Sequence, residues 1–211
     1  MKKYWAELIG TFILVFAGTG AIVINELYGS VTHLGIGLTF GLVVMAVIYS
    51  IGEISGAHIN PAVSIAFWIA KRMEAKEVLP YIFFQLLGAL FASVIIHLLF
   101  PQSQLLGATL PSGSWWQSFI LEFILTFILM FVILQVSSGN KETGVIAGVA
   151  IGSVVAFEAI FAGPVCGASM NPARSIAPAI VAGHLTHLWI YITATTMGAI
   201  ASVGVYNLIK S

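Results

Sequence analysis

Two tripeptides in this chain of 211 residues could do chemistry of a specific kind: Asn60-Pro61-Ala62 and Asn171-Pro172-Ala173. Asn followed by Pro is the expected opening of a helix. The Asn side-chain oxygen accepts a backbone N–H as an N-cap, and Pro fits the first helical position, where its missing N–H costs nothing. Each Asn then keeps an amide NH2 as a donor. Aligned through the tripeptides, Ser55-Gly56-Ala57-His58-Ile59-Asn60-Pro61-Ala62 matches Cys166-Gly167-Ala168-Ser169-Met170-Asn171-Pro172-Ala173 at an offset of 111 (171 − 60). The same offset places Gly37 on Gly148 and Gly41 on Gly152. A slightly different one brings Glu7-Leu8-Ile9-Gly10-Thr11-Phe12 near Glu122-Phe123-Ile124-Leu125-Thr126-Phe127. The chain reads as two copies of one unit, 1–105 and 114–211, within a single domain spanning 1–211.

The elements that must carry these residues are set by composition. Apolar residues make up 59% of the chain and charged residues 8%, with a mean hydropathy of +1.04, which excludes an ordinary soluble domain. Eight Lys/Arg balance eight acidic residues, so no basic excess points to nucleic acid. The single Cys166 excludes a disulfide framework and a Cys-rich metal site. Apolar windows near Trp5 to Ile24, Leu34 to Ile51, Leu79 to Phe100, Ser118 to Val136, Val145 to Ala162 and Leu188 to Leu208 predict six spans, the first retained rather than cleaved as a signal. Pro61 to Ala70 and Pro172 to Val181 are too short to cross and read as re-entrant half-helices. The expected fold is an all-α membrane protein of six transmembrane helices plus two half-helices.

Lys2, Lys3, Lys71, Arg72, Lys76, Lys141 and Lys210 share one side of this arrangement, which puts both termini in the cytoplasm of a multi-pass protein of the plasma (cell inner) membrane. Three spans per unit is an odd number, so the second copy enters from the opposite face. The two half-helices then plunge from opposite sides and meet at mid-membrane with their Asn donors facing one stretch of lumen. Converging helix N-termini add about half an elementary charge each at that level. A neutral solute can pass by accepting hydrogen bonds through its oxygens, whereas cations and hopping protons are disfavoured. Arg174, three residues into the second half-helix, adds a cation on the outer side, and its counterpart is Val63. A salt bridge to Glu158 is the competing role. Gly37-x-x-x-Gly41 and Gly144-x-x-x-Gly148-x-x-x-Gly152 offer faces for tight helix crossing inside the bundle.

With paired Asn60-Pro61-Ala62 and Asn171-Pro172-Ala173-Arg174-Ser175 on six spans, the whole chain resembles the major intrinsic protein family, the aquaporins and aquaglyceroporins. Gly163 to Ser175 and His187 to Ile192 are most similar to the nodulin-26-like branch and its bacterial relatives. The resemblance implies an aquaporin-like fold, a homotetramer in the lipid bilayer with one pore per chain, and passage of water, glycerol and small neutral metalloid hydroxides such as arsenite, boric acid or silicic acid. It implies an outer selectivity filter at Phe40, Ala159, Ala168 and Arg174. Strict water channels typically carry His at the position of Ala159, so two alanines should leave a wider opening. Ser175 and Ala179 match water channels and Ile192 does not, so a strict water channel is the alternative. Glu53 departs from the family's usual His, with a solvated role or a pH gate near the inner mouth.

Glu7 and Glu122, on corresponding helices, are expected to accept backbone N–H groups from the approaches to the half-helices, which lipid cannot satisfy. His58 should line the inner half of the path or tie its loop. His33, His97, His184 and His187 show no metal-ligand spacing and read as interfacial, and no cofactor is called for. Trp115, Trp116 and Trp189 read as interface anchors. Cys166 belongs either near the outer vestibule, open to mercurials, or in the core. Ser55 and His58 could suggest a hydrolase, but no acid partner completes the set and no catalytic residue is assigned. An ion-coupled transporter also uses inverted repeats and buried carboxylates. Uptake driven by an ion gradient and abolished by uncouplers would mark the transporter; flux that follows the solute gradient alone marks the channel.

Overall fold

The structure, a computed structural model, describes residues 1–137 and 146–210. Lys141, Gly144 and Val145, used above, lie outside the described residues. The regular elements among the described residues are all helices: α1 (Lys2–Tyr28), α2 (Thr32–Ser55), α3 (Pro61–Ile69), α4 (Ala75–Leu99), α5 (Trp115–Val136), α6 (Ala147–Cys166), α7 (Pro172–Ala182) and α8 (Leu188–Lys210). All but α3 and α7 are long and apolar enough to cross a bilayer. The exceptions, of 9 and 11 residues, are about 14 and 17 Å long at 1.5 Å per residue, half of a hydrocarbon core about 30 Å thick. Large apolar side chains such as Leu42, Leu79, Phe83 and Leu98 stay exposed around the bundle, as a lipid-facing surface requires.

The same packing occurs in both halves. α1 packs on α2 and α4, and α5 packs on α6 and α8. The halves join through α2 against α6, while each half-helix leans on the last helix of the other half, α3 on α8 and α7 on α4. At the α2–α6 crossing a side-chain carbon on Gly152 would lie 2.6 Å from the Gly41 carbonyl oxygen, so both predicted glycine faces are used where the helices touch. A second pair was not anticipated. Gly88 and Gly198 lie where any β-carbon would run into the carbonyls of Leu8 and Phe123, so α4 on α1 and α8 on α5 close through equivalent backbone contacts.

The face bearing the chain ends is tied by charged groups. Lys3 pairs with Glu77 at 2.7 Å, Tyr4 donates to the same carboxylate at 2.7 Å, and Arg72 donates to Ser137 Oγ at 3.0 Å and to the Tyr206 hydroxyl. Trp115, Trp116 and Trp189 are exposed, and the Trp115 and Trp189 rings meet at 5.6 Å. His97 is exposed, while His184 and His187 are half-buried in the turn before α8.

The approaches to α3 and α7 are the unusual backbone. Ala57 and Ile59 in one, and Ala168 and Met170 in the other, have φ between 42° and 55°, a region costly for side chains other than Gly and most costly for a branched Ile. Ser55 and Ser169 each accept one N–H within their own loop, and two buried carboxylates accept neighbouring ones. Glu7 accepts from the N–H groups of His58 (2.9 Å) and Ile59 (2.6 Å), and from Ser55 Oγ and Gln85 Nε2. Glu122 accepts from the N–H groups of Ser169 (2.8 Å) and Met170 (2.9 Å). Both glutamates are fully buried. Glu122→Leu orphans two such donors at about 1–3 kcal/mol each, so it should destabilise the fold by about 2–6 kcal/mol. Thermal denaturation in detergent should place Glu122→Gln, which keeps one acceptor oxygen, between Leu and wild type; a Leu variant that melts with wild type contradicts the anchoring role.

Candidate functional site

Each half-helix begins at its Asn. Asn60 Oδ1 accepts from Ala62 N–H at 2.9 Å, and Asn171 Oδ1 accepts from the N–H groups of Ala173 (3.0 Å) and Arg174 (3.4 Å), with Pro61 and Pro172 opening the helices behind them. The two tips cross-link. Asn60 Nδ2 donates to the Met170 carbonyl at 2.7 Å, and Asn171 Nδ2 donates to the Ile59 carbonyl at 2.8 Å. The sequence reading left both hydrogens of each amide to the lumen; one of the two is instead engaged with the opposite loop, which otherwise has a strained carbonyl to satisfy. The second N–H of each amide remains for the cavity that both Asn residues line.

That inner cavity has a volume of about 150 Å³ and a mostly apolar wall including Leu14, Val44, Val63, Leu129 and Val155, with His58, Ser169, Arg174 and the two Asn residues among its polar groups. An outer cavity of about 460 Å³ lies between the 105–110 loop and the outer ends of α2 and α6. Phe40, Ala168 and Arg174 line both cavities, and Ala159 lines the outer one. Three of the four residues predicted to form one ring thus line both cavities, and the fourth, Ala159, shares the outer wall with them. The Arg174 guanidinium lies 5.1 Å from the Phe40 ring, and its Nη1 donates to the Gly107 carbonyl at 2.6 Å. Arg174 is 2% exposed, and its buried Nε has no protein partner.

Arg174 makes no ion pair with Glu158 among the described residues. Glu158 is buried, its carboxyl oxygens have no protein partner, and it lines neither cavity. The His58 ring forms part of the inner wall, stacks on Phe67 at 4.6 Å, and meets Ser64 Oγ at 3.1 Å through Nδ1. Ser55 Oγ bonds to Glu7 rather than to that ring, so the pair is not a nucleophile and its base. Glu53 is exposed at the end of α2 and outside both cavity walls, in keeping with the solvated role. Cys166 is fully buried, with Sγ against the Ala162 carbonyl, so the core position holds and the open one does not.

Residues missed by sequence reasoning sit in the 100–114 segment. Thr109 Oγ1 bonds Ser175 Oγ at 2.7 Å, Ser175 Oγ bonds Ser169 Oγ, and Gly107 supplies the acceptor for Arg174. A backbone carbonyl has no residue signature; the positive φ of Gly107, 71°, and its seat against Thr19 are what aim it. His33, read as merely interfacial, stands in the outer cavity wall with Nε2 at 2.6 Å from the Ile160 carbonyl.

The model of the family described as "Major intrinsic protein" matches residues 1–206. The chain is 47% identical to a probable NIP-type aquaporin of Nicotiana alata, covering all of this chain and 78% of that one, and 45% identical to nodulin-26 of Glycine max at the same coverage. The X-ray structure of the aquaglyceroporin from Plasmodium falciparum superposes with a TM-score of 0.90 at 27% identity, over 99% of this chain and 96% of that one. Sequence and architecture agree along essentially the full length, and the chain belongs to the major intrinsic protein family, whose aquaporins are passive channels and not enzymes.

Proposed function

We propose that the chain conducts water and small uncharged solutes, glycerol and metalloid hydroxides such as arsenite or boric acid among them, and rejects ions and protons. The observation that carries this reading is the shared wall of the outer cavity: Ala159, Ala168 and Phe40 make it apolar and Arg174 supplies hydrogen-bond donors. A hydroxylated solute fits both, its carbons along Phe40 and the alanines and its oxygens toward the guanidinium. The similarity to NIP-type aquaporins and to an aquaglyceroporin supports it.

Inside the ring, a permeating oxygen accepts from the remaining N–H of Asn60 and of Asn171. Water so held has its lone pairs committed and cannot relay a proton along the file. Two half-helix N-termini add positive potential at the same level, and neither Glu7 nor Glu122 presents an oxygen to a passing cation, because those oxygens are engaged by loop N–H donors and neither side chain lines the inner cavity. The same engagement argues against an ion-coupled transporter. Units 1–105 and 114–211 act as inverted halves of one channel domain, with Asn60, Pro61, Ala62, Asn171, Pro172 and Ala173 at its waist. Each chain carries its own pore in a homotetramer, with both termini cytoplasmic in the plasma (cell inner) membrane.

In proteoliposomes under stopped flow, Ala159→His should reduce glycerol permeability about tenfold or more while water permeability falls by no more than about twofold, a change of about 1.4 kcal/mol in the solute barrier. Equal losses for both would contradict the filter. Arg174→Val should raise ion leakage, and an ion-tight variant would leave exclusion to the helix ends alone.

A further inference from the structure

α6 lacks one backbone hydrogen bond near its outer end, although the helix itself is continuous. Pro164 has no N–H, so it cannot give the Ile160 carbonyl the usual bond from four residues ahead. That carbonyl is left to a donor outside its own helix, either water of the outer cavity or a side chain in the cavity wall. His33, in the first turn of α2, supplies one: its Nε2 lies 2.6 Å from the Ile160 oxygen, and since a carbonyl only accepts, Nε2 carries the hydrogen. Two features of the backbone make room. One turn along α2, Gly37 allows close approach to Ile160, whose backbone nitrogen would be 3.1 Å from a side-chain carbon there. Gly163 leaves the seat for the imidazole, since a side-chain carbon on it would lie 2.9 Å from His33 Cε1. In the other half the position corresponding to Pro164 is Glu53, which keeps its N–H, so this arrangement is not inherited from the repeat.

The bond joins the two helices that carry half of the ring, Phe40 on α2 and Ala159 on α6, with Ile160 the residue next to Ala159. We propose that His33 is a specificity-determining positioning residue: by donating to the Ile160 carbonyl that Pro164 leaves without a helical partner, it fixes the gap between Phe40 and Ala159 and so the size of solute admitted. It touches the ring only through Ile160. Without it, the carbonyl turns to water in the outer cavity and the outer turn of α6 moves away from α2, so larger solutes gain more than water does. The proposal rests on the solute-channel reading and deepens it.

The experiment is a cycle of variants in proteoliposomes, with glycerol and water permeabilities measured by stopped flow. His33→Leu should raise the glycerol-to-water ratio about threefold or more, a relative barrier change of about 0.65 kcal/mol. His33→Gln, which keeps a donor of similar reach, should hold the ratio near wild type. In a Pro164→Ala background, where residue 164 regains its N–H, adding His33→Leu should change nothing. An unchanged ratio in His33→Leu, or an equal rise in both backgrounds, overturns the proposal. Solid-state NMR of the wild type in lipid should show a protonated His33 Nε2 in contact with the Ile160 carbonyl carbon, and absence of that contact also overturns it. Wild-type glycerol permeability is the separate control: a wild type that passes water and no glycerol refutes the solute reading, while the NMR contact still decides whether the tether exists.

Discussion

Inside a bilayer no water is available to bond a backbone that leaves the helix, and this structure depends on the way it meets that constraint at two places. The chain stops twice at mid-depth, at Asn60 and Asn171, and each stop leaves several residues of extended and left-handed backbone in a buried setting. Glu7 and Glu122 bond the N–H groups of those residues, and the opposite Asn amide bonds a carbonyl. The two approaches therefore stabilise one another as well as themselves. Removing either half of this exchange leaves buried polar groups on both sides of the pseudo-symmetric centre, at a cost comparable to a substantial part of a domain's net stability.

Symmetry frames the pore and departures from it give the pore its character. The Asn caps, the glutamates and the glycine crossings at Gly41 with Gly152 and at Gly88 with Gly198 recur in both halves. Arg174 stands where the first half has Val63, and Pro164 where it has Glu53. Both departures fall toward the outer cavity, on α7 and α6, in whose wall Arg174 and Pro164 stand. A symmetric pore would present the same surface from either side; this one is polarised, with the Arg174 guanidinium on one side of its waist and Val63 at the equivalent position on the other.

Most of the fold was legible in the sequence because the signals were of kinds that survive without context. Apolar runs long enough to span, runs half that length, and Asn-Pro at a helix start are local, and the offset of 111 tied the two halves together. The assignment of Glu7 and Glu122 followed from a general requirement on buried N–H groups rather than from any contact visible in the chain. What was not legible depended on partners with no residue signature. Gly107 acts through its carbonyl, the Asn amides each give one hydrogen to a loop carbonyl, and His33 reaches an acceptor 127 positions away that exists because a proline lies four residues beyond it. Gly88 and Gly198 were obscured because each contacts a carbonyl rather than another glycine.

A structure of the protein in lipid at a resolution that places individual waters tests the paired-donor waist most directly. It should show a single file of water through the ring and past the half-helix tips, with one oxygen within hydrogen-bonding distance of both Asn60 Nδ2 and Asn171 Nδ2 and its hydrogens pointing outward along the file. Asn residues separated from one another, or a lumen filled by side chains at that level with no water between the two amides, would contradict it.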